Sequence, residues 1–172
     1  SLVGSEMCIR DSFRSVGPSQ NRTPAAPPPS GPEYLLVDGY NVIFAWDELK
    51  KIAAENLDAA RRRLMDILCN YAGYRKCVPI LVFDAYRVKG AGREQETWHN
   101  LHVIYTREAE TADMFIERTT HELAKNHRVR VVSSDGAEQI IILGNGALRV
   151  SARAFEREVR AVEAEIREFL DQ

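Results

Sequence analysis

A short apolar run that ends at an aspartate constrains the fold of this chain more than any other feature. Tyr34 to Val37 are apolar or aromatic, and Asp38, Gly39 and Asn41 follow within four residues. An uninterrupted run of this length, bounded by turn-forming residues, is typical of a strand buried on both faces. Because open α/β sheets bind ligands at the carboxyl ends of their strands, Asp38 is predicted to lie at a functional edge.

The same pattern recurs three times along the chain. The later runs and the acids that follow them are 80–83 with Asp84, 102–106 with Glu110 and Asp113, and 129–133 with Asp135. Between the runs and after the last of them, apolar residues at three- and four-residue steps predict helices over about 57–71, 111–125 and 151–170. A loop with a short helix is predicted over 41–54, and another short helix over 138–142. Strands that alternate with helices predict an α/β fold with a parallel sheet covered on both faces.

Composition narrows the function classes. The chain has 172 residues, 45% hydrophobic and 28% charged, which suits one globular domain. No apolar run approaches the roughly 18 residues of a membrane span. The formal charge of −2 indicates that any polyanion must meet a local basic patch or a metal ion. Three cysteines without C-x-x-C spacing make a zinc site or a disulfide framework improbable and favour a reducing compartment.

Six of the seven prolines lie between Pro18 and Pro32, and nothing before Gly31 has helical or strand periodicity. We therefore interpret residues 1–32 as a disordered leader and residues 33–172 as the folded domain. Two origins of the leader stay open: an artefactual segment or a transit peptide. The expected location is the cytoplasm in the first case and a plastid in the second.

The acids become informative as a set. Each alone has a structural explanation as a turn residue, a strand end or a helix cap. A parallel sheet, however, brings all of their strand ends to one edge. The predicted metal ligands there are Asp38, Asp84, Glu110, Asp113 and Asp135. Mutually repelling carboxylates of this kind are stabilised by a hard cation such as Mg²⁺ or Mn²⁺, one or two ions, and such ions suit phosphodiester hydrolysis.

Polar and basic residues near the acids are candidates for substrate contacts. Asn41 and Ser134 offer hydrogen bonds to a phosphate, and Arg87, Lys89 and Arg93 form a cationic loop after Asp84. Such a loop can attract an RNA backbone, although a solvated surface loop explains it as well. Glu110 and Asp113 are three residues apart and are predicted to face the same way on one helical turn.

Several sequence blocks, in the same order along the chain, carry a resemblance to a known family. They are Val37-Asp38-Gly39-Tyr40-Asn41, 82–85 with 88–90, 106–113, Ser134-Asp135 with 138–139, and 144–149 with 151–153. The chain resembles the YacP-type NYN domain family, to which a bacterial ribosome-associated endoribonuclease that cuts mRNA belongs. The resemblance implies a PIN-like, three-layer α/β/α domain with a mainly parallel sheet. It also implies a metal-dependent endoribonuclease site on the five acids, with Asn41 in the name-giving motif.

Our leading hypothesis is therefore an endoribonuclease in which Asp38, Asp84, Asp113 and Asp135 are catalytic. The substrate is RNA, expected to be mRNA, with the ribosome as a possible context. The alternative is a catalytically silent RNA- or ribosome-binding module, against which the concentrated negative charge argues. A receiver-like phosphorylation switch needs adjacent acids after its first strand, and Gly39 follows Asp38 here.

Overall fold

The computed structural model describes residues 31–84, 95–107, 109–133, 141–142 and 146–171. Seven strands and five helices occur in these ranges. The strands are β1 (Tyr34–Asp38), β2 (Val78–Phe83), β3 (Gln95–Trp98), β4 (Leu101–Tyr105), β5 (Val129–Val132), β6 (Ile141–Ile142) and β7 (Leu148–Val150). The helices are α1 (Gly39–Ala45), α2 (Asp47–Glu55), α3 (Leu57–Arg75), α4 (Ala112–Leu123) and α5 (Ala152–Leu170).

The described strands form one sheet in the order β3-β4-β2-β1-β5-β7-β6. Strands β4, β2, β1, β5 and β7 are parallel, whereas β3 and β6 pair antiparallel at the two edges. The mainly parallel α/β fold predicted from the sequence is confirmed. The carboxyl ends of the parallel strands therefore share one edge of the sheet, which we call the carboxyl edge.

Two hydrophobic cores cover the two faces of the sheet. Successive side chains of a strand point to opposite faces. Accordingly, Leu35 and Val37 pack into the larger core with α1, α2, α3 and α5, whereas Leu36 packs with α4 on the other face. The indole N–H of Trp46 donates to the carbonyl of Ala152 at 2.8 Å and thereby ties the α1–α2 junction to the start of α5. The result is a three-layer arrangement.

Several local predictions need correction. The region predicted as a loop and a short helix is two helices, because Asp38 caps α1 directly at the end of β1. Ile141–Ile142 is a strand that pairs with β7, not the end of a helix. The edge strand β3 and the strand β7 were not predicted. The predicted leader lies outside the described residues, except for Gly31 and Pro32.

Among the helices of these ranges, none combines the length and the apolar character that a membrane span requires.

Candidate active site at the carboxyl edge

Asp38 lies where the central strand passes into a helix. It ends β1 and is the N-cap of α1, and its side chain accepts the backbone N–H of Asn41 at 3.3 Å. The amide of Asn41 donates to the other carboxylate oxygen at 3.1 Å. Asp38 is 8% exposed. Two donors from one residue therefore fix the orientation of a nearly buried carboxylate, and one of them is the backbone N–H that an N-cap aspartate accepts.

Asp84 follows the neighbouring strand β2. Its Oδ1 accepts the backbone N–H of Ala112, the first residue of α4, at 2.6 Å. That N–H is one of the helix N-terminal donors that have no partner within the helix. Asp84 consequently links β2 to the start of α4 and is half-buried beside the carboxyl end of β1.

The start of α4 separates two acids that the sequence placed on one helical turn. Thr111 is the N-cap, its hydroxyl accepts the N–H of Met114, and Asp113 lies in the first turn of the helix. Glu110 precedes the cap and is therefore outside the helix. It pairs with Arg118 at 2.8 Å. The prediction that Glu110 and Asp113 lie on one helical turn was wrong, because the helix begins after Thr111.

Three of the predicted acids interact electrostatically. Burial raises the pKa of Asp38 above its ordinary value, and the hydrogen bonds from Asn41 partly oppose this shift. The negative charges of Asp84 and Asp113 raise the pKa of Asp38 further. Asp38, Asp84 and Asp113 thus come near enough at this edge for their charges to interact, as the parallel topology predicted.

The donor chemistry of the edge suits a hard divalent cation, whose preferred ligands are carboxylate oxygens. Across the described ranges, no group of three or more His, Cys, Asp or Glu side chains is arranged to hold a metal ion. Mg²⁺ commonly uses only one or two protein carboxylates and keeps several waters. Asp38 and Asp84 suit this mode of binding, in which one or two carboxylates hold the ion. Because Asp38 is nearly buried and is repelled by Asp84 and Asp113, a cation beside it would stabilise its charged form.

Other predicted site residues lie outside the described residues. They are Arg87, Lys89, Arg93, Ser134 and Asp135. Their roles stay predictions. Asn41 has a definite task in the structure, since its amide holds Asp38. Its predicted contact with substrate also stays a prediction.

Two arginines bind residues at or next to the site, and these contacts were not predicted from the sequence. Arg61 donates to the hydroxyl of Tyr40 at 3.1 Å, and its side chain is only 12% exposed. Its position was visible in the pattern, because Arg61 is four residues after Leu57 and three before Leu64 on the apolar face of α3. Arg118 pairs with Glu110 eight residues earlier, across the cap of α4, and no short-range spacing rule indicates such a pair.

Comparison with known proteins decides the family. The YacP-like NYN domain model matches residues 35–172 of this chain. This chain belongs to the YacP-like NYN family. An uncharacterised protein YacP of Bacillus subtilis (strain 168) is 44% identical over 135 residues, which are 78% of this chain and 79% of that protein. NYN membership implies a nuclease.

Solved structures agree with this assignment. The crystal structure of Rae1 (YacP) from Bacillus subtilis matches with a TM-score of 0.68 and 42% identity, covering 80% of this chain and 79% of that one. A tryptophan-to-leucine mutant of the same Bacillus subtilis protein matches with a TM-score of 0.66 and 40% identity, over 79% and 80% of the two chains. The NYN fold predicted from the sequence blocks is confirmed.

Proposed function

We propose that this NYN domain is a metal-dependent endoribonuclease that hydrolyses RNA phosphodiester bonds, with mRNA as its substrate and the translating ribosome as the setting. The proposal places the protein in the cytoplasm, or in a plastid if residues 1–32 are a transit segment. Family membership supports nuclease chemistry. The carboxyl edge contains the acidic residues that such chemistry would use.

The observation that carries the proposal is the state of Asp38. A carboxylate that is 8% exposed and repelled by Asp84 and Asp113 is held in place by two hydrogen bonds. A purely structural N-cap needs neither this burial nor the two neighbouring charges. Concentrated negative charge also opposes the binding of a polyanion unless a cation intervenes.

The predicted site residues would have distinct roles in this scheme. Asp38 and Asp84 would bind Mg²⁺ or Mn²⁺, and Asp113, Glu110 and Asp135 would complete the site directly or through water. Such an ion supplies a bound water of lowered pKa and stabilises the leaving oxygen. Asn41 and the N–H of Ala112 fix the two principal carboxylates. Arg87, Lys89 and Arg93 would attract the RNA backbone.

Replacing Asp84 by Asn tests the assignment. The variant retains an oxygen that accepts the N–H of Ala112 but loses the charge. We expect cleavage of labelled single-stranded RNA in Mn²⁺ or Mg²⁺ to fall by at least about 100-fold, because the loss of even an outer-shell partner of a metal costs about 10–100-fold and Asp84 is proposed to bind the metal directly. The thermal unfolding midpoint should stay close to that of the wild type.

Glu122→Gln is the matched control, because Glu122 is an exposed acid of α4 that pairs with Lys125 three residues later. It should leave cleavage unchanged. Running each protein with and without translating ribosomes tests the proposed setting. Full activity of the Asp84→Asn variant would refute the site, and RNA binding without any product from the wild type would favour a silent binding module.

A further inference from the structure

A second charged site lies at the opposite edge of the sheet. A cavity of about 370 Å³ opens where strands begin, beside Glu33 before β1, Arg128 before β5 and Leu148 at the start of β7. The end of α3 adds Arg75 and Lys76. The acids of the carboxyl edge lie at the other ends of the same strands. The two sites are therefore separated by roughly 15 Å, the length of a five-residue strand.

On the inner wall of this cavity, one arginine is paired with two carboxylates. Arg130 donates to both carboxylate oxygens of Glu158, at 2.7 and 3.0 Å, and to the hydroxyl of Tyr71 at 2.6 Å. Its Nε lies 3.3 Å from a carboxylate oxygen of Glu33. Cys77 also lines the wall, and burial raises the pKa of its thiol to about 11. At neutral pH the thiol therefore adds no negative charge.

The rim has the opposite character. Arg75, Lys76 and Arg128 are exposed, and among the described residues none of them has a carboxylate within ion-pair distance. The negative end of the α3 dipole gives a structural reason for Arg75 and Lys76. It does not explain Arg128, which comes from a different segment and is fixed by donation to the carbonyl of Gly31.

We propose that this cavity binds the phosphate group of a nucleotide or of RNA. The lining carries four cations against the two carboxylates of Glu33 and Glu158, and this net charge of +2 matches the charge of a phosphate ester, about −1.5 to −2, better than the single charge of a carboxylate. Two guanidinium groups supply the planar, forked donors that bind phosphate. The volume lies within the range of small-ligand sites. The site is independent of the proposed cleavage chemistry.

The test is a titration of the full chain, labelled with ¹⁵N, followed by NMR in the presence of a chelator so that no cleavage occurs. The ligands are inorganic phosphate, AMP, a short single-stranded RNA and, as a negative arm, acetate. We expect saturable shifts of the amides of Cys77, Arg128 and Leu148, with a dissociation constant of about 1 mM or tighter for at least one phosphate ligand. Saturation by AMP indicates a site for a free nucleotide, and saturation by RNA alone indicates a site for a phosphate of an RNA chain.

Charge-removal variants make the test specific. In Arg75→Gln/Lys76→Gly, glycine suits position 76, where the backbone φ is 59° and left-handed. This variant and Arg128→Gln should each weaken phosphate binding by on the order of tenfold, as expected for losing a charge-assisted hydrogen bond. The control Lys50→Gln/Lys51→Gln removes two exposed charges of α2 and should bind as the wild type does.

Three results would overturn the proposal. One is an absence of shifts at Cys77, Arg128 and Leu148 with every phosphate ligand. Another is unchanged binding by both rim variants. The third is acetate binding as tightly as phosphate. Because the chelator removes metal-dependent cleavage from the experiment, none of these results bears on the endoribonuclease assignment.

Discussion

Asp38 is held in a position that costs the fold stability when no cation is present. Its raised pKa means that the protonated form is compatible with the fold, whereas the charged form is opposed by burial and by Asp84 and Asp113. The stability from this group is therefore present at low pH and is lost as pH rises through its folded-state pKa. Asparagine in its place carries no charge, and its single amide oxygen can accept the backbone N–H of Asn41 as an N-cap does.

We expect Asp38→Asn to be more stable than the wild type at neutral pH in chelator, by about 0.5–2 kcal/mol, and to be inactive. The difference should vanish in acid, where Asp38 is protonated. Chemical denaturation from acidic to neutral pH measures it. A wild type that is more stable than the variant at neutral pH would contradict this account of Asp38.

Gly39 is constrained by space and not by its backbone angle. A Cβ at this position would lie 2.2 Å from Cε1 of Phe83, whose ring is fully buried. Alanine in a helix is worth roughly 0.5–1 kcal/mol over glycine, but overpacking costs about 1–3 kcal/mol and should dominate. We expect Gly39→Ala to lower the free energy of unfolding by roughly the cost of overpacking less the gain from alanine in a helix, as measured by urea denaturation.

The Phe83→Leu background provides the control. Without the ring, Gly39→Ala should become neutral or stabilising, so the double-mutant cycle should show strong coupling. Additive effects of the two substitutions would mean that the ring is not the obstacle.

The sequence predicted the acids of the site better than their partners. Asp38 and Asp84 were found because each directly follows an apolar run. The N–H of Ala112 that binds Asp84 is 28 residues away, and only the assembled sheet brings it there. The pairing of Glu110 with Arg118 likewise depends on where Thr111 starts α4.

At the scale of elements, Glu158 joins three of them. From α5 it accepts hydrogen bonds from Arg130 of β5 and Tyr71 of α3. Burial alone would raise the pKa of Glu158, but these hydrogen bonds hold it below its ordinary value. Its contribution to stability is therefore present above the unfolded-state pKa and is lost as pH falls through the folded-state pKa.

We expect Glu158→Gln to cost about 1–3 kcal/mol at neutral pH, less than a fully buried pair because the side chain is 29% exposed. The cost should shrink on acidification, which thermal unfolding across pH measures. Glu165→Gln is the matched control on α5, where the partner is the exposed hydroxyl of Tyr74. It should change stability by less than about 0.5 kcal/mol. An equal loss for both variants would contradict the role of the Glu158 network.

Elements with strong apolar periodicity were the predictable ones. Helix α5 begins at Ala152, after the N-cap Ser151, close to the predicted range of 151–170. It buries Phe155, Val159 and Val162, whereas Phe169, on the same apolar face in the sequence, is 72% exposed near the end of the helix. Strand β3 was missed because Gln95–Trp98 is largely exposed and polar, and it is a strand only through backbone pairing with β4. Helix α1 was missed because Asp38 and Gly39 carry turn signals, although here they are a cap and a close contact.

For the whole molecule, the position of a strand in the sheet sets its resistance to opening. Strand β1 lies between β2 and β5, and Leu35, Leu36 and Val37 are fully buried. Strand β3 is an edge strand with one neighbour and mainly exposed side chains. Amides of the centre should exchange only when the domain unfolds globally, whereas edge amides open locally.

We therefore expect native-state hydrogen exchange of Leu36 and Val37 to report the same free energy as denaturant unfolding, about 5–15 kcal/mol for a domain of this kind. Amides of β3 that pair with β4 should exchange with a much lower free energy and little dependence on denaturant. Strand β4 provides the internal control, since it is protected by β2 on one side even when β3 opens. Protection of β3 equal to that of β1 would mean that the edge strand belongs to the cooperative core. The acids of the carboxyl edge depend on β1 and β2, so the same measurement tests whether the most resistant part of the fold carries the proposed metal site.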